Sequence, residues 1–433
     1  MKVAFATLGC RVNVYESEAM SEKFIKEGYE ITDFDNFSDV YVINTCTVTN
    51  MGDKKSRQMI GRARRKNPNA IIAAVGCYSQ VASKEVSLIE GVDVVLGTRN
   101  KSEVVYWVNR AREEQRQIVK VNDVLKNKVF DELNIDDYQN KTRAFLKVQD
   151  GCNRFCSYCL IPFARGAVCS KTPEKIIEEV KKLAQHNFKE IILSGIHMAS
   201  YGVDLDKDVN LITVLEEINK IDGIERIRIG SIDPTFFTEE VIRKVALIEK
   251  MCSHFHLSMQ SGSDETLKRM NRSYDSKTYR ESVENLRKYM KNISITTDVI
   301  VGFPGETEEE FRTTYNFLKD IGLSKTHIFK FSPRTGTKAA EMPMQVEKSI
   351  KDIRSGLLIE LNKLNEVRFM ERFIGSEMYV LFEEGTILQK GYYEGYTQNY
   401  IKVIVKSEGN LKGKILKVKL NVVEEEHILG ELI

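Results

Sequence analysis

The chain has 433 residues, of which 42% are hydrophobic and 29% charged, and its formal net charge is +2. This length exceeds one ordinary core, so two to three domains are expected, and the near-neutral charge neither demands nor excludes nucleic acid. No apolar run approaches the roughly 18 to 20 residues that a membrane span needs, and the N-terminus lacks the plan of a signal peptide. Eight cysteines are too few for a secreted disulfide scaffold of this size, so a reducing cytoplasm is expected.

The N-terminal region, residues 1–121, is predicted to be an α/β domain. Apolar strands alternate with helical patterns, which indicates a parallel sheet with crossover helices. Three of the strands run into a cysteine, namely Cys10, Cys46 and Cys77. Ligands of such sheets bind beyond the carboxyl ends of the strands, so the three thiols are expected to meet at one edge. The predicted strands span 3–7, 40–43, 70–75 and 92–96, and a further helix spans 102–114.

Three cysteines at equivalent positions indicate a shared metal site. A single cysteine after a strand is more often a small buried hydrophobic residue. Three of them in one sheet reverse that preference, and an iron–sulfur cluster with three protein ligands is the favoured interpretation. Zinc on three cysteines is the alternative.

Between Cys46 and Cys77 lies a basic segment, residues 54–66, with seven lysines and arginines and no acidic residue. A solvated helix face is the ordinary interpretation of a charged helix. A run of side chains that all carry positive charge repels itself, however, unless it contacts phosphate. This pattern therefore favours a nucleic-acid contact. The candidate RNA-binding residues in this segment are Arg57, Arg62, Arg64 and Arg65.

A polar, irregular stretch over 122–142 predicts a linker, and residues 143–372 predict a second domain. Six strand–helix units follow one another there, which indicates a partial (β/α)6 barrel. The clearest helix starts are the proline-led Thr172-Pro173-Glu174 and a capping box beginning at Thr307. The predicted strands span 144–148, 190–193, 226–229, 254–259, 293–301 and 326–331.

The first of these strands is followed by a cysteine triplet, Cys152, Cys156 and Cys159. Three thiolates can bind three irons of a 4Fe–4S cube, which leaves the fourth iron open to a substrate or cofactor. The triplet lies at the carboxyl end of a barrel strand, where active sites of such barrels lie. An iron–sulfur cluster here also makes iron the more favoured metal for Cys10, Cys46 and Cys77.

Polar residues and glycines end several other strands of the predicted barrel. Gly195 closes the second strand, Gln260 follows the fourth, and Asp298 lies in the fifth, before the turn Gly302-Phe303-Pro304-Gly305. Each has an ordinary interpretation as a satisfied buried polar residue or a turn glycine. Several such ends gathered around one cluster favour a binding site for a polar cofactor.

The last region, residues 373–433, has short β-rich segments that predict a small five-stranded barrel. Its seven lysines and nine glutamates give a net charge of −2, which is unusual for an RNA-binding module. If this domain binds RNA, it does so through the local arrangement of a few side chains and not through its net charge. The candidates are Lys402, Lys406 and aromatic residues such as Tyr396 and Tyr400.

These motifs resemble the methylthiotransferase family of radical S-adenosylmethionine enzymes over essentially the whole chain. The pattern Cys-x-x-x-Cys-x-Tyr-Cys is similar to the radical S-adenosylmethionine signature. The run GCNRFCSYCLIPFARG looks most like the branch that converts N6-threonylcarbamoyladenosine in tRNA to its 2-methylthio form. Further matching motifs are Leu8-Gly9-Cys10, Asn44-Thr45-Cys46, Gly76-Cys77, Ile161-Pro162-Phe163-Ala164-Arg165-Gly166, Gln260-Ser261-Gly262-Ser263 and Gly302-Phe303-Pro304-Gly305-Glu306.

The resemblance implies two 4Fe–4S clusters and S-adenosylmethionine as cofactors. The cluster on Cys152, Cys156 and Cys159 would cleave S-adenosylmethionine to a 5′-deoxyadenosyl radical that takes hydrogen from carbon 2 of adenosine 37. The cluster on the three upstream cysteines, Cys10, Cys46 and Cys77, would supply the methylated sulfur. The implied contacts to S-adenosylmethionine are Tyr158, Gly195, Ser231, Gln260 and Asp298.

The resemblance also implies partners and leaves alternatives open. We expect tRNA, bound through its anticodon stem-loop with help from a TRAM-like C-terminal barrel that includes Lys402, and an electron donor such as flavodoxin or ferredoxin. A monomer in the cytoplasm is expected, with no membrane partner. The alternatives are another N6-modified adenosine of tRNA, an aspartate of a ribosomal protein, and a non-catalytic iron–sulfur sensor that binds RNA.

Two residues depart from the family pattern after the Ile-Pro-Phe-Ala-Arg-Gly motif. Cys169 stands where the family branch usually has arginine, and we interpret it as that position rather than as a cluster ligand. Lys171 keeps a positive charge but loses the two-pronged hydrogen bonding of arginine. Cys252 precedes a predicted strand and is expected to be buried and inert.

Overall fold

The computed structural model describes residues 1–126, 129–135, 142–385 and 391–433. Its architecture is the predicted one: a parallel-sheet α/β domain, a partial barrel of strand–helix units, and a small closed β-barrel. The linker predicted over 122–142 lies partly outside the described residues, and the domain limits stay predictions. Within the described ranges, no helix combines the length and the apolar character needed to cross a membrane.

The N-terminal sheet has six parallel strands in the order β2-β1-β3-β4-β5-β6. Strand β3 is buried along its whole length, because helices cover both faces of the sheet. The short strands β2 and β6 extend the sheet beyond the four predicted ones. The strands are β1 (Lys2–Thr7), β2 (Glu30–Thr32), β3 (Val40–Thr45), β4 (Ile71–Gly76), β5 (Val94–Leu96) and β6 (Ile118–Lys120), and the helices are α1 (Arg11–Lys26), α2 (Asn50–Lys66), α3 (Cys77–Val81), α4 (Ser83–Ser87) and α5 (Val104–Glu114).

The partial barrel consists of two three-stranded parallel sheets, β7-β10-β11 and β12-β13-β14. Parallel bridges between Ile227 and Met251 and between Ile232 and Leu257 join the two sheets. A short antiparallel pair, β8 and β9, follows the first strand. The strands are β7 (Arg143–Lys147), β8 (Gln149–Asp150), β9 (Cys169–Ser170), β10 (Glu190–Ser194), β11 (Arg226–Ile229), β12 (His254–His256), β13 (Ser294–Val301) and β14 (Lys325–Lys330).

The helices of this region mostly lie against the outside of the barrel strands, and two of the predicted starts are confirmed. Pro173 is the first residue of its helix, and Thr307 and Glu310 form the predicted capping box. The helices are α6 (Ile161–Arg165), α7 (Pro173–Gln185), α8 (Leu211–Asn219), α9 (Glu239–Ala246), α10 (Asp264–Arg269), α11 (Ser276–Tyr289), α12 (Glu308–Ile321), α13 (Lys338–Glu341) and α14 (Lys348–Glu371).

Strand β12 is shorter than the predicted strand over 254–259. Gln260 has a left-handed backbone (φ +67), and the hydroxyl of Tyr274 donates to the carbonyls of Ser258 and Met259. These carbonyls are therefore satisfied by a side chain rather than by a neighbouring strand, and the ladder ends at His256.

The C-terminal domain is a closed barrel in the order β15-β16-β17-β19-β18, as predicted. It docks on the partial barrel through Arg226, which donates to the carbonyls of Tyr396 (2.8 Å) and Tyr379 (2.9 Å). The ring of Tyr400 stacks on His254 at the base of the partial barrel. The strands are β15 (Glu377–Gly385), β16 (Tyr392–Thr397), β17 (Lys402–Lys406), β18 (Ile415–Glu424) and β19 (His427–Leu432).

Candidate active site

The cysteine triplet of the partial barrel lies on a loop that directly follows β8. The loop begins at Gly151, whose φ of +72 and close approach to the carbonyl of Ala167 leave no room for a side chain. The backbone N–H of Arg154 donates to Cys152 Sγ (3.5 Å), and that of Ile161 donates to Cys159 Sγ (3.4 Å). The loop therefore presents its sulfurs with N–H donors already directed at them, as iron–sulfur sites do.

Burial raises the pKa of the Cys159 thiol to about 12, against the Ile161 N–H that lowers it, and the nearby Cys156 and Cys152 raise it further. Burial also raises the pKa of Cys152. Thiols with such pKa values stay protonated at neutral pH until a cation displaces the proton. The three sulfurs and their mutual repulsion fit a cationic iron cluster bound by all three.

Arg272 is a residue of this site that the sequence analysis missed. Its guanidinium donates to Cys156 Sγ (3.2 Å) and lies 3.6 Å from the carboxylate of Asp233. It also lies over the ring of Tyr274. No motif marked Arg272, since it is far in sequence from Cys156, and only the fold brings the two together.

The second triplet lies at the carboxyl ends of β1, β3 and β4, as predicted. Cys10 is exposed, whereas Cys46 and Cys77 are buried. A side chain on Gly9 would lie 2.7 Å from Cys46 Sγ, so glycine is needed for the β1 loop to approach this sulfur. A depression of about 410 Å³ between the loops that follow β1 and β3 is lined by Cys10 and Cys46. The depression gives a cluster a place beside these sulfurs.

The thiols of the second triplet lie close enough to affect one another's pKa. Burial raises the pKa of Cys46 to about 11, against the Val48 N–H that lowers it, and Cys77 and Cys10 raise it further. Burial also raises the pKa of Cys77, while Arg165 lowers it. The raised pKa values of the buried Cys46 and Cys77 suit a metal cluster, by the same argument as for the first triplet.

A buried network of charges connects the two triplets. Arg165, on α6, donates to Glu16 Oε1 (2.9 Å), to both carboxylate oxygens of Asp150 (3.2 Å each) and to Asn13 Oδ1 (2.7 Å). Asp150 lies two residues before Cys152, and Asn13 donates to the carbonyl of Leu8, two residues before Cys10. Arg165 thus links the backbone that carries one triplet to the backbone that carries the other.

A cavity of about 920 Å³ occupies the interior of the partial barrel. Cys10 of the second triplet lines it, and so do three of the predicted cofactor contacts, Gly195, Ser231 and Asp298. The other two lie outside the lining. Gln260 exchanges backbone hydrogen bonds with β13, and Tyr158 packs edge-on against Phe303 (6.2 Å between ring centroids).

The predicted RNA-binding arginines of α2 differ in their availability. Arg57 pairs with Glu85 (3.2 Å), Arg62 pairs with Asp35, and Arg64 donates to the Ala70 carbonyl and pairs with Asp93. Arg65 is exposed and ion-pairs with no carboxylate in the part of the chain that the structure describes. Lys402 lines the cavity and pairs with Glu394 (2.8 Å).

The residues that depart from the family pattern make internal contacts. The thiol of Cys169 is 1% exposed and accepts a hydrogen bond from Arg99 (2.7 Å). Lys171 is buried, where its ammonium pairs with Glu179 and donates to Asn134 (3.0 Å). Cys252 is fully buried, as predicted. The lysine at position 171 therefore forms an internal ion pair.

Known families match both of the regions that carry a cysteine triplet. Residues 146–318 match the radical SAM superfamily, and residues 2–97 match a family described as "Uncharacterized protein family UPF0004". The chain is 44% identical to the threonylcarbamoyladenosine tRNA methylthiotransferase MtaB of Bacillus subtilis, over 96% of this chain and 93% of that protein. It is 43% identical to MtaB of Aquifex aeolicus, over 96% and 100%.

A related enzyme class is more distant. The chain is 33% identical to a tRNA-2-methylthio-N(6)-dimethylallyladenosine synthase of Pelotomaculum thermopropionicum, over 100% of this chain and 97% of that protein.

Among solved structures, the fold is similar to that of the radical S-adenosylmethionine methyltransferase TsrM from Kitasatospora setae. The TM-score is 0.57 at 14% sequence identity, over 78% of this chain and 76% of that one. At this identity the likeness concerns the fold alone.

Proposed function

Because the chain belongs to the methylthiotransferase family of radical S-adenosylmethionine enzymes, we propose that it adds a methylthio group to carbon 2 of N6-threonylcarbamoyladenosine at position 37 of tRNA. The relatives at 43–44% identity are named as threonylcarbamoyladenosine tRNA methylthiotransferases. Their similarity extends over nearly the whole of both chains, so the cluster regions and the C-terminal barrel are included.

The shared cavity is the observation that carries the proposal. Sulfur transfer requires a sulfur donor and a radical source that face the same substrate atom. Cys10 and the predicted cofactor contacts Gly195, Ser231 and Asp298 line one cavity. A base that entered this cavity would lie near both Cys10 and the predicted contacts to S-adenosylmethionine, an arrangement that an enzyme that only makes a radical would not require.

The residues present fit two clusters. Cys152, Cys156 and Cys159 would hold the cluster that binds S-adenosylmethionine, and Cys10, Cys46 and Cys77 would hold the second. When bound, these groups supply the radical chemistry and the sulfur. The chain's own residues orient the groups: Arg272 and the N–H groups of the cysteine loop hydrogen-bond to sulfur.

The RNA is proposed to reach the cavity past exposed aromatic residues. Phe155 and Phe163 are 47% and 45% exposed, and their rings meet edge-to-face. Single-stranded RNA is recognised mainly by stacking of splayed bases on such rings. Arg65 of α2 is the predicted arginine most available for phosphate, whereas Arg57, Arg62 and Arg64 would first have to leave internal partners.

One side of the cavity offers hydrogen-bonding groups that a polar N6 substituent can use and a dimethylallyl group cannot. The strands β12, β13 and β14 contribute polar and charged side chains there, among apolar residues of the remaining lining, and these side chains are His256, Asp298, Lys325 and His327. We further propose that the enzyme acts in the cytoplasm as a monomer. Its electrons are proposed to come from a flavodoxin or ferredoxin.

The test is a nucleoside analysis of treated tRNA. The protein is reconstituted anaerobically with iron and sulfide and given S-adenosylmethionine, a reductant and tRNA that carries N6-threonylcarbamoyladenosine. Mass spectrometry should show the methylthio gain on this nucleoside and not on N6-dimethylallyladenosine. If S-adenosylmethionine is cleaved but no tRNA nucleoside gains mass, the proposal fails and a protein substrate replaces it.

Arg272→Gln is expected to make the cluster on Cys152, Cys156 and Cys159 harder to reduce. A cation that donates to a ligating sulfur stabilises the extra electron of the reduced cluster. The midpoint potential should fall by about 60 mV or more, a tenfold change for a one-electron couple. Redox titration monitored by EPR measures this shift. Lys268→Gln, an exposed neighbour on α10, should leave the potential unchanged, and an unchanged potential in Arg272→Gln would contradict the assignment.

A further inference from the structure

Three cationic side chains line the cavity, those of Arg11, Lys325 and Lys402, and the two lysines already have anionic partners. The ammonium of Lys325 lies 2.6 Å from Glu366 and 3.4 Å from Glu426. Lys402 pairs with Glu394. These lysines are therefore neutralised before any ligand arrives.

Arg11 is different, because its guanidinium has no acidic partner among the residues that the structure describes. Arg11 directly follows Cys10, begins α1 and lines the cavity. Its side chain is exposed. Its Nη2 lies 3.3 Å from the hydroxyl of Tyr400, and the guanidinium lies 5.6 Å from the ring centroid of Phe145. A permanent positive charge thus lies in the cavity beside Cys10, with no carboxylate within ion-pair distance among the described residues.

Two histidines lie on the neighbouring strands of the same cavity. The rings of His256 and His327 stack with centroids 5.9 Å apart, and His256 Nε2 lies 3.3 Å from Asp298. Burial lowers the pKa of His327, so its ring is neutral at pH 7 and can donate one hydrogen bond. The cavity therefore combines the guanidinium of Arg11 with the neutral ring of His327.

We propose that Arg11 binds the carboxylate of the threonylcarbamoyl group of the substrate. This inference rests on the proposed function and names the residue that recognises the N6 substituent. Of the groups on that nucleobase, the carboxylate alone is charged, and guanidinium binds carboxylate through two parallel N–H···O bonds. The residue after Cys10 is well placed for this task, since holding the substituent there brings the base close to the sulfur site.

The test measures binding by the reconstituted holoenzyme without S-adenosylmethionine. Three anticodon stem-loop RNAs differ only at position 37, which is N6-threonylcarbamoyladenosine, its methyl ester or adenosine. Fluorescence anisotropy gives each Kd. The wild-type protein should bind the acid about tenfold to a hundredfold more tightly than the ester, as expected for a hydrogen-bonded charge. Arg11→Gln should bind both equally, and Arg11→Lys should keep a smaller preference.

Lys26→Gln is the matched control, because Lys26 is an exposed cation at the other end of the same helix. It should preserve the preference for the acid. A preference that survives Arg11→Gln overturns the proposal, and so does a wild-type protein that does not distinguish acid from ester. Loss of iron in Arg11→Gln also overturns it, in favour of a role in holding Cys10. The proposed function has its own readout, since it fails only if no methylthio product forms on the acid RNA.

Discussion

Cys46→Ala is expected to abolish methylthio transfer to tRNA while cleavage of S-adenosylmethionine continues. Cys46 is one of three sulfurs at the ends of β1, β3 and β4, and its loss would leave the proposed second cluster with only two cysteine ligands. The cysteines at 152, 156 and 159 are untouched, so the radical source remains. The measurement is paired: 5′-deoxyadenosine should form near the wild-type rate, and the methylthio nucleoside should fall to background.

Cys252→Ala is the control for this experiment, because Cys252 is also buried but contributes to neither triplet. It should retain both cleavage and sulfur transfer. Iron analysis adds a second readout, since Cys46→Ala should lose about half of the bound iron if each triplet holds one four-iron cluster. Normal sulfur transfer by Cys46→Ala would show that these cysteines do not form the sulfur site.

Arg165→Met is expected to destabilise the protein strongly. Arg165 is fully buried between the carboxylates of Glu16 and Asp150. Burial by itself raises the pKa of Glu16, but Arg165, Lys101 and Lys147 together hold it well below its usual value. Removing one member of a buried ion network costs about 3–5 kcal/mol, because the remaining charges lose their compensation.

The melting temperature of the protein should therefore fall by roughly 10 °C, as measured by differential scanning calorimetry. Arg312→Met is the matched control, since Arg312 forms an exposed pair with Glu308 on α12 (3.0 Å). Exposed pairs of this spacing contribute only about 0.3–0.5 kcal/mol. Equal effects of the two substitutions would show that the buried network is not needed for stability. Because the pKa of Glu16 is lowered, the stabilisation is present at neutral pH and is lost only as the pH falls through that lowered pKa.

The parts of the site that sequence analysis predicts depend on local spacing. Cys152, Cys156 and Cys159 lie within one loop, and Cys10, Cys46 and Cys77 each follow a recognisable strand. Sheet topology then brings the second set together, because neighbouring parallel strands end at the same edge. These positions required no knowledge of distant contacts.

The parts that sequence analysis did not predict depend on partners far away in the chain. Arg165 and Glu16 are 149 residues apart, and Arg272 and Cys156 are 116 residues apart. Helix α2 is another case in which the sequence shows the charges but not their partners. Its basic run predicts RNA binding, but nothing in the run shows that Arg62 and Arg64 already have partners on neighbouring loops.

Moving the N-terminal domain away from the partial barrel would break the buried ion pairs of Glu16 with Arg165 and Lys147, which is costly. We therefore expect the spacing of the two triplets to change little during turnover. The component that moves is then expected to be the RNA, whose loop nucleotides can unstack singly and enter the cavity.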